Sequence, residues 1–289
     1  MSATMIEPDA PAATGAVTAD PAELARERRA RVHAVARWTM PVVALGLALA
    51  LWEIGVRLNG LPPYILPAPS RVLATLVADW PILGPALGVT LTITALALLA
   101  ATAGGVLLAV LFTQSRWAEM SLYPFAVVAQ VTPVVAIAPL IFIYVDSRLA
   151  GLLICAWLVA FFPVLSNTTL GLNSADHGLR DLFAIHGATR WQRLRLLLVP
   201  SALPFFLGGL RIAGGLALIG AIVAEYVAGT GGIGSGLAFR ILEAGYQLKI
   251  PRMFAALVLI ALAGVVIYGA LALFSHLALR RWHESASGR

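Results

Sequence analysis

Four stretches of this chain, residues 80–115, 120–145, 149–175 and 253–279, contain no Asp, Glu, Lys or Arg. Uncharged runs of that length leave the backbone few options. In hydrocarbon every N–H and C=O must be satisfied internally, and an uninterrupted apolar run meets this as an α-helix, which crosses a bilayer in about 20 residues. Two further segments are less clean: Trp38 to Val56 carries Glu53, and Pro204 to Val227 carries Arg211 and Glu225. Counting both, the expected fold is all-α integral membrane, with six transmembrane helices. Composition agrees. Sixty per cent of residues are hydrophobic, 12% are charged and mean hydropathy is +0.89, outside the range of soluble domains.

The same reading excludes several function classes. A pI of about 10.1 comes from basic residues that flank spans, without the aromatic interleaving of a single-strand nucleic-acid binder, so no nucleic-acid partner is expected. Cys155 is the only cysteine; it rules out an intramolecular disulfide and reads as a small packing residue. His33, His177, His186, His276 and His283 lack metal-ligand spacing, and no metal site is expected. No G-x-x-x-x-G-K-[ST] motif exists to cradle a nucleotide, and no catalytic grouping converges on one depth, so the chain is read as a non-enzyme. Gly229, Gly231 and Gly234 spell G-x-G-x-x-G. The run follows an apolar helix, not a strand, and reads as a permissive turn.

Charge asymmetry orients the spans. With six crossings, one side collects 13 basic residues: Arg26, Arg28, Arg29, Arg31, Arg37, Arg116, Arg180, Arg190, Arg193, Arg195, Arg280, Arg281 and Arg289. The other holds six, Arg57, Arg71, Arg148, Arg240, Lys249 and Arg252. The positive-inside rule places both termini and the 171–203 loop in the cytoplasm. Residues 1–36 are expected to form a disordered cytoplasmic tail, 37–283 the membrane domain and 284–289 a short C-terminal tail.

Within that loop, Asp176 to Pro200 reads DHGLRDLFAIHGATRWQRLRLLLVP. Gly187 can close one helix in the left-handed conformation, and Thr189 with Gln192 forms a capping box that opens the next. The second helix runs on through Leu196–Val199 to Pro200. A folded element of this kind in a cytoplasmic loop points to a docking site for another protein; an amphipathic helix at the bilayer surface is the blander reading.

The loop also resembles the signature of the permease subunits of binding-protein-dependent ABC importers: Glu-Ala-Ala, three residues, Gly, nine residues, then Ile-x-Leu-Pro. Gly187 and Pro200 have the required spacing, with Leu197 and Val199 at the aliphatic positions. Asp181, Leu182 and Phe183 stand where the family has Glu-Ala-Ala. The similarity runs over residues 38–283 and includes Trp52-Glu53, Leu66 to Ser70, Pro133, Ala136, Pro139, Leu140, Phe162-Pro163, Asn167-Thr168, Gly171, Gly209 to Arg211, Ala224-Glu225, Pro251-Arg252 and Phe254 to Ala256. Its nearest branch resembles the nitrate, sulfonate, taurine and pyrimidine-precursor permeases. The resemblance implies a type I importer permease in the bacterial inner membrane. It also implies a homodimer, two cytosolic ATPase subunits that bind ATP and magnesium, an extracytoplasmic solute-binding protein and no cofactor on this chain. The cargo implied is a small polar or anionic organic solute. An ion-coupled secondary transporter is the alternative, though such proteins need no docking loop.

Several side chains carry two readings. Leu179, Leu182, Phe183 and Ile185 present an apolar face, either to an ATPase groove or to membrane and core. Gln130, Thr132, Asn167 and Thr168 either line the translocation path or satisfy carbonyls freed near prolines. Glu225 is an intramembrane carboxylate, hence a path candidate by default, or a structural acid paired with Arg252. Gly209, Ala213, Ala217 and Ala221 form a small-residue ridge, for a dimer seam or pore wall or for packing within the subunit. Arg211 near a span end is free to snorkel.

Overall fold

The computed structural model describes residues 21–229 and 234–280, and helix is the only regular structure among them. The chain divides after Leu58 into two units. The first holds α1 (Pro21–Leu58), whose final 20 residues, Thr39–Leu58, are apolar enough to span a bilayer. Glu53 and Arg57, one turn apart in it, pair at 2.6 Å. Residues 21–36, expected as part of a disordered tail, are helical. Ala, Leu, Glu and Arg dominate them, all strong helix formers, and they continue the span behind them without a break. The remainder of the expected tail, residues 1–20, and the C-terminal 284–289 lie outside the described residues.

The second unit contains α2 (Pro69–Ala78), α3 (Trp80–Gln114), α4 (Arg116–Val131), α5 (Val134–Tyr144), α6 (Arg148–Asn173), α7 (His177–Ile185) and α8 (Arg190–Arg193). A π-helical turn, Leu194–Leu198, then leads into α9 (Val199–Ala228), followed by α10 (Leu237–Tyr246) and α11 (Ile250–Leu279). Proline opens α2, α3, α9 and α11, where its missing N–H costs nothing. Ser115 and Ser147 cap α4 and α6 by accepting from Ala118 N and Ala150 N.

Among the described residues, five helices are long and apolar enough to cross a membrane: Thr39–Leu58, α3, α6, the run Arg190–Ala228 and α11. The sixth expected crossing, residues 120–145, is not one helix. It is α4 and α5 bent by 103° at Thr132-Pro133. Pro133 has no N–H to continue the ladder and forces Thr132 into extended backbone, so an apolar window that looked continuous breaks in its middle. The fifth crossing is longer than its expected 204–227, because α8, the π turn and α9 join into 39 residues.

α6 and α9 form the centre of this unit, and small residues bring their backbones together. A Cβ added at Gly209 would lie 2.7 Å from Asn167 Cβ and Pro163 O; one at Gly220 would lie 2.8 Å from Ala156 Cα. At Gly171 it would meet Ala202 Cα at 2.8 Å. The ridge of Gly209, Ala213, Ala217 and Ala221 is fully buried, with Ala213 and Ala217 in the cluster that holds Ala160 and Val164 of α6. Packing within the subunit is therefore what the ridge does. Cys155 lies in the adjoining cluster with Ala156, Ala221 and Ala224. Arg211 does not snorkel: its Nε donates to the buried hydroxyl of Ser275 on α11 at 3.0 Å. Outward-facing Leu262, Val265 and Val266 on α11 stay more than half exposed, as lipid-facing side chains do.

A third cluster joins Val72 of α2 and Leu83 of α3 to Leu237 of α10 and Ala255, Ala256 and Leu259 of α11. Beside it Arg252 Nε donates to Asp79 Oδ2 at 2.5 Å, tying the α2–α3 corner to the start of α11. Arg252 is thus committed to Asp79, and the pairing with Glu225 read from sequence does not occur.

Candidate functional site

The loop after α6 folds as its local sequence dictates. Asp176 caps α7 by accepting from Leu179 N at 3.1 Å. Gly187, with φ +63°, ends it: Gly187 N donates to Ala184 O and Ala188 N to Phe183 O, both at 3.0 Å, the paired closure of a Schellman turn. Thr189 then opens α8 with both halves of its capping box made, Gln192 N to Thr189 Oγ1 at 3.3 Å and Thr189 N to Gln192 Oε1 at 2.8 Å. Arg180 Nη2 fastens α7 back to Leu172 O at 3.2 Å.

The apolar face of α7 divides. Phe183 packs inward on the α6–α9 cluster, whereas Leu179, Leu182 and Ile185 are exposed, Ile185 at 82%. Asp181 is exposed as well. Between α7 and α8 lies a shallow groove of about 350 Å³ lined by Leu182, Phe183, His186, Ala188, Gln192 and Leu196. Leu197 is buried in the α6–α9 cluster, Val199 is half exposed and Pro200 sits in the first turn of α9. The π turn that links α8 to α9 had no sequence signal, since LRLLL suits any helix.

At the α4–α5 break a second cavity opens, about 340 Å³ in volume. Its walls are the break itself, residues 129–134 with Ile137, together with Leu158, Val159 and Pro163 of α6 and Leu216 of α9. Gln130 and Thr132 meet here. The Thr132 hydroxyl donates to Val128 O at 2.7 Å, leaving Gln130, exposed and without a hydrogen bond among the described residues, as the free polar side chain. Among the described residues no charged side chain lines the cavity. Asn167 and Thr168 are not part of it. Asn167 Nδ2 donates to Pro163 O at 2.9 Å, the carbonyl-satisfying role. Thr168 is buried against an apolar groove formed with Val106, Val110, Leu172 and Phe206.

Glu225 lies elsewhere again, fully buried where α9, α3 and α10 meet. The Thr90 hydroxyl of α3 donates to Glu225 Oε1 at 2.8 Å, and Ala238 N donates to Oε2 at 3.0 Å. Leu237 N donates to Thr90 Oγ1 at 2.9 Å. The first N–H groups of a helix have no partner within it, and α10 opens on Gly236, which has no side chain to supply one. α3 and α9 supply the cap from outside. Gly236 must be glycine for this, because a Cβ there would fall on the Glu225 carboxyl group. The arrangement is also favourable in charge: a carboxylate at an α10 N-terminus opposes the positive end of that helix dipole. Sequence reasoning found Glu225 but missed Thr90 and Gly236. The nearby Gly229 and Gly234 carry φ of +55° and +98°, as a permissive turn requires; Gly231 lies outside the described residues.

Long apolar helices, one broken around an uncharged cavity, with a rigidly capped helix-turn-helix joined to the longest of them, define a multi-pass transport permease. The chain belongs to the family of binding-protein-dependent transport system inner membrane components, whose model matches residues 101–278. It is 36% identical over 273 residues to the riboflavin transport system permease protein RibX of Chloroflexus aurantiacus, covering 88% of this chain and 96% of that one. It is 33% identical over 232 residues to the formylaminopyrimidine transport permease protein ThiX of Halalkalibacterium halodurans, covering 80% and 91%. A chain in the crystal structure of an amino acid ABC transporter with histidines shares the fold, with a TM-score of 0.57 at 20% identity over 70% of this chain and 96% of that one. The protein is accordingly the permease subunit of an ABC importer, of the type I fold, and the secondary-transporter alternative is set aside.

Proposed function

We propose that two copies of this permease form the membrane path of an importer, driven by two cytosolic ATPase subunits that hold ATP and magnesium and fed by an extracytoplasmic binding protein. The reading places both termini and the α7–α8 element in the cytoplasm of a cell with an inner membrane, with α7 and α8 seated in the ATPase groove. One observation carries it: the exposed Leu179, Leu182 and Ile185 stand on a short helix closed by a fixed glycine turn, which runs through α8 and the π turn directly into α9. Such an element transmits motion as a rigid body.

For the cargo, the cavity at the helix break supports a small, uncharged, hydrogen-bonding solute within the polar class expected from sequence. Gln130 offers it a free side-chain amide, and among the described residues no cation lines the cavity to hold a sulfonate or nitrate. Relatives named for riboflavin and formylaminopyrimidine agree with this choice.

The test is reconstitution with the ATPase and binding protein in proteoliposomes, reading solute uptake, ATP hydrolysis and co-purification for wild type and Gly187→Val. Uptake of heterocyclic and sulfonated solutes in the same vesicles separates the two cargo classes. At φ +63° a β-branched side chain is strained by about 1–2 kcal/mol, while the spans are untouched. The variant should insert normally, yet lose about tenfold or more of its ATP-driven uptake. Normal coupling and normal co-purification would return the loop to a surface helix.

A further inference from the structure

The clasp around Glu225 has no part in the docking or cargo chemistry above, yet it ties together α3, α9 and α10 through residues far apart in sequence. Two of its hydrogen bonds, from Thr90 of α3 and Ala238 N of α10, end on one carboxyl group near the end of α9, and a third, from Leu237 N to the Thr90 hydroxyl, ties α10 to α3. The same turns of α9 face the other way too. Ala221 and Ala224 are buried, and Val227 and Ala228 partly so, in the cluster that contains Val134, Ala138, Ile141 and Phe142 of α5. Val134 also lines the Gln130 cavity. A continuous packed route therefore leads from the α10 cap, through the end of α9, to the wall of the cavity.

We propose that Glu225 is a positioning residue for transport: by capping α10 from outside, its carboxyl group fixes the end of α9, and that end sets the α5 wall of the Gln130 cavity. α9 and α10 then move as one body while the clasp holds. A purely local role would be stability of the α10 turn alone, with the cavity unaffected.

The experiment separates the two in the full permease–ATPase complex. Gln130→Cys, made with Cys155→Ala so that the introduced thiol is the permease's only one, is labelled in proteoliposomes by the water-soluble reagent methanethiosulfonate ethylammonium. Rates are compared with and without Glu225→Gln, which keeps the shape but presents an amide N–H₂ where a donor now binds. The labelling rate should change by about tenfold, the shift expected from losing one hydrogen bond to a charged acceptor. An unchanged rate in an assembled complex overturns the proposal. If Glu225→Gln does not assemble, Thr90→Val gives the same readout with the Glu225–Ala238 bond left in place, and Thr90→Ser should restore the wild-type rate. An unchanged rate in Thr90→Val, or a change that Thr90→Ser fails to reverse, overturns it equally. Because labelling needs neither solute nor ATP, the outcome stands apart from the assignment of cargo and of coupling.

Discussion

Gly187 and Gly236 are both indispensable turns beside short helices, for opposite reasons. Gly187 has φ +63° and open space where a Cβ would go; its backbone demands glycine and its surroundings do not. Gly236 has φ −85°, which any residue adopts, but a Cβ there would strike the Glu225 carboxyl group. One glycine answers to torsion and the other to a neighbour from a different helix. A turn of the first kind is decided within a few residues, whereas a turn of the second kind is decided only when the fold is complete.

The comparison breaks first at Gly236. Gly236→Ala should destabilise the purified permease by about 3 kcal/mol, because the carboxyl group must leave its donors while still buried. Adding Glu225→Ala removes the obstacle, so the double variant should be milder than the sum of the singles by about 1–2 kcal/mol in thermal unfolding. Strict additivity would mean that the two sites do not share one contact.

At Gly187 no second-site partner exists to relieve the strain. Gly187→Ala should cost about 1 kcal/mol wherever it is measured, and Gly187→Asn distinctly less, since asparagine tolerates the left-handed region. If Ala and Asn behaved alike, torsion would not be the reason for this glycine. The smallest effect belongs to Thr189→Ala, about 0.5–1 kcal/mol, read as faster hydrogen exchange across Arg190–Arg193. Loss of the box there should leave the Schellman turn on the other side of the loop intact.

Legibility followed the same divide. The α7–turn–α8 element could be read residue by residue, since Asp176, Gly187, Thr189 and Gln192 act over three or four positions. The spans were legible too, because their length and lack of charge are one-dimensional properties. What could not be read was whatever depends on meeting another helix. Thr90 and Leu237 are 147 positions apart, and nothing around Thr90 distinguishes it from Thr92 or Thr94: each of the three hydroxyls reaches back to the carbonyl four residues earlier, and Thr90 alone of them also reaches Glu225. Asp79 took Arg252 from Glu225 for the same reason. The α4–α5 break is intermediate: Pro133 was visible, but a proline inside a span can bend it slightly or sever it, and only its packing on α6 and α9 decides.

The π-helical turn at Leu194–Leu198 has a consequence of its own. Such a turn holds one residue more than regular α-helix, so it advances the phase of everything beyond it by about 100°. Leu194, Leu197 and Leu198 are buried at the turn itself, and the small-residue ridge of α9 begins about three turns later, at Gly209. The extra residue works as an azimuthal offset between two gear faces on one shaft. The face that α8 shows to the α7 groove and the face that α9 shows to α6 are thereby free to point in directions that an unbroken helix could not satisfy together.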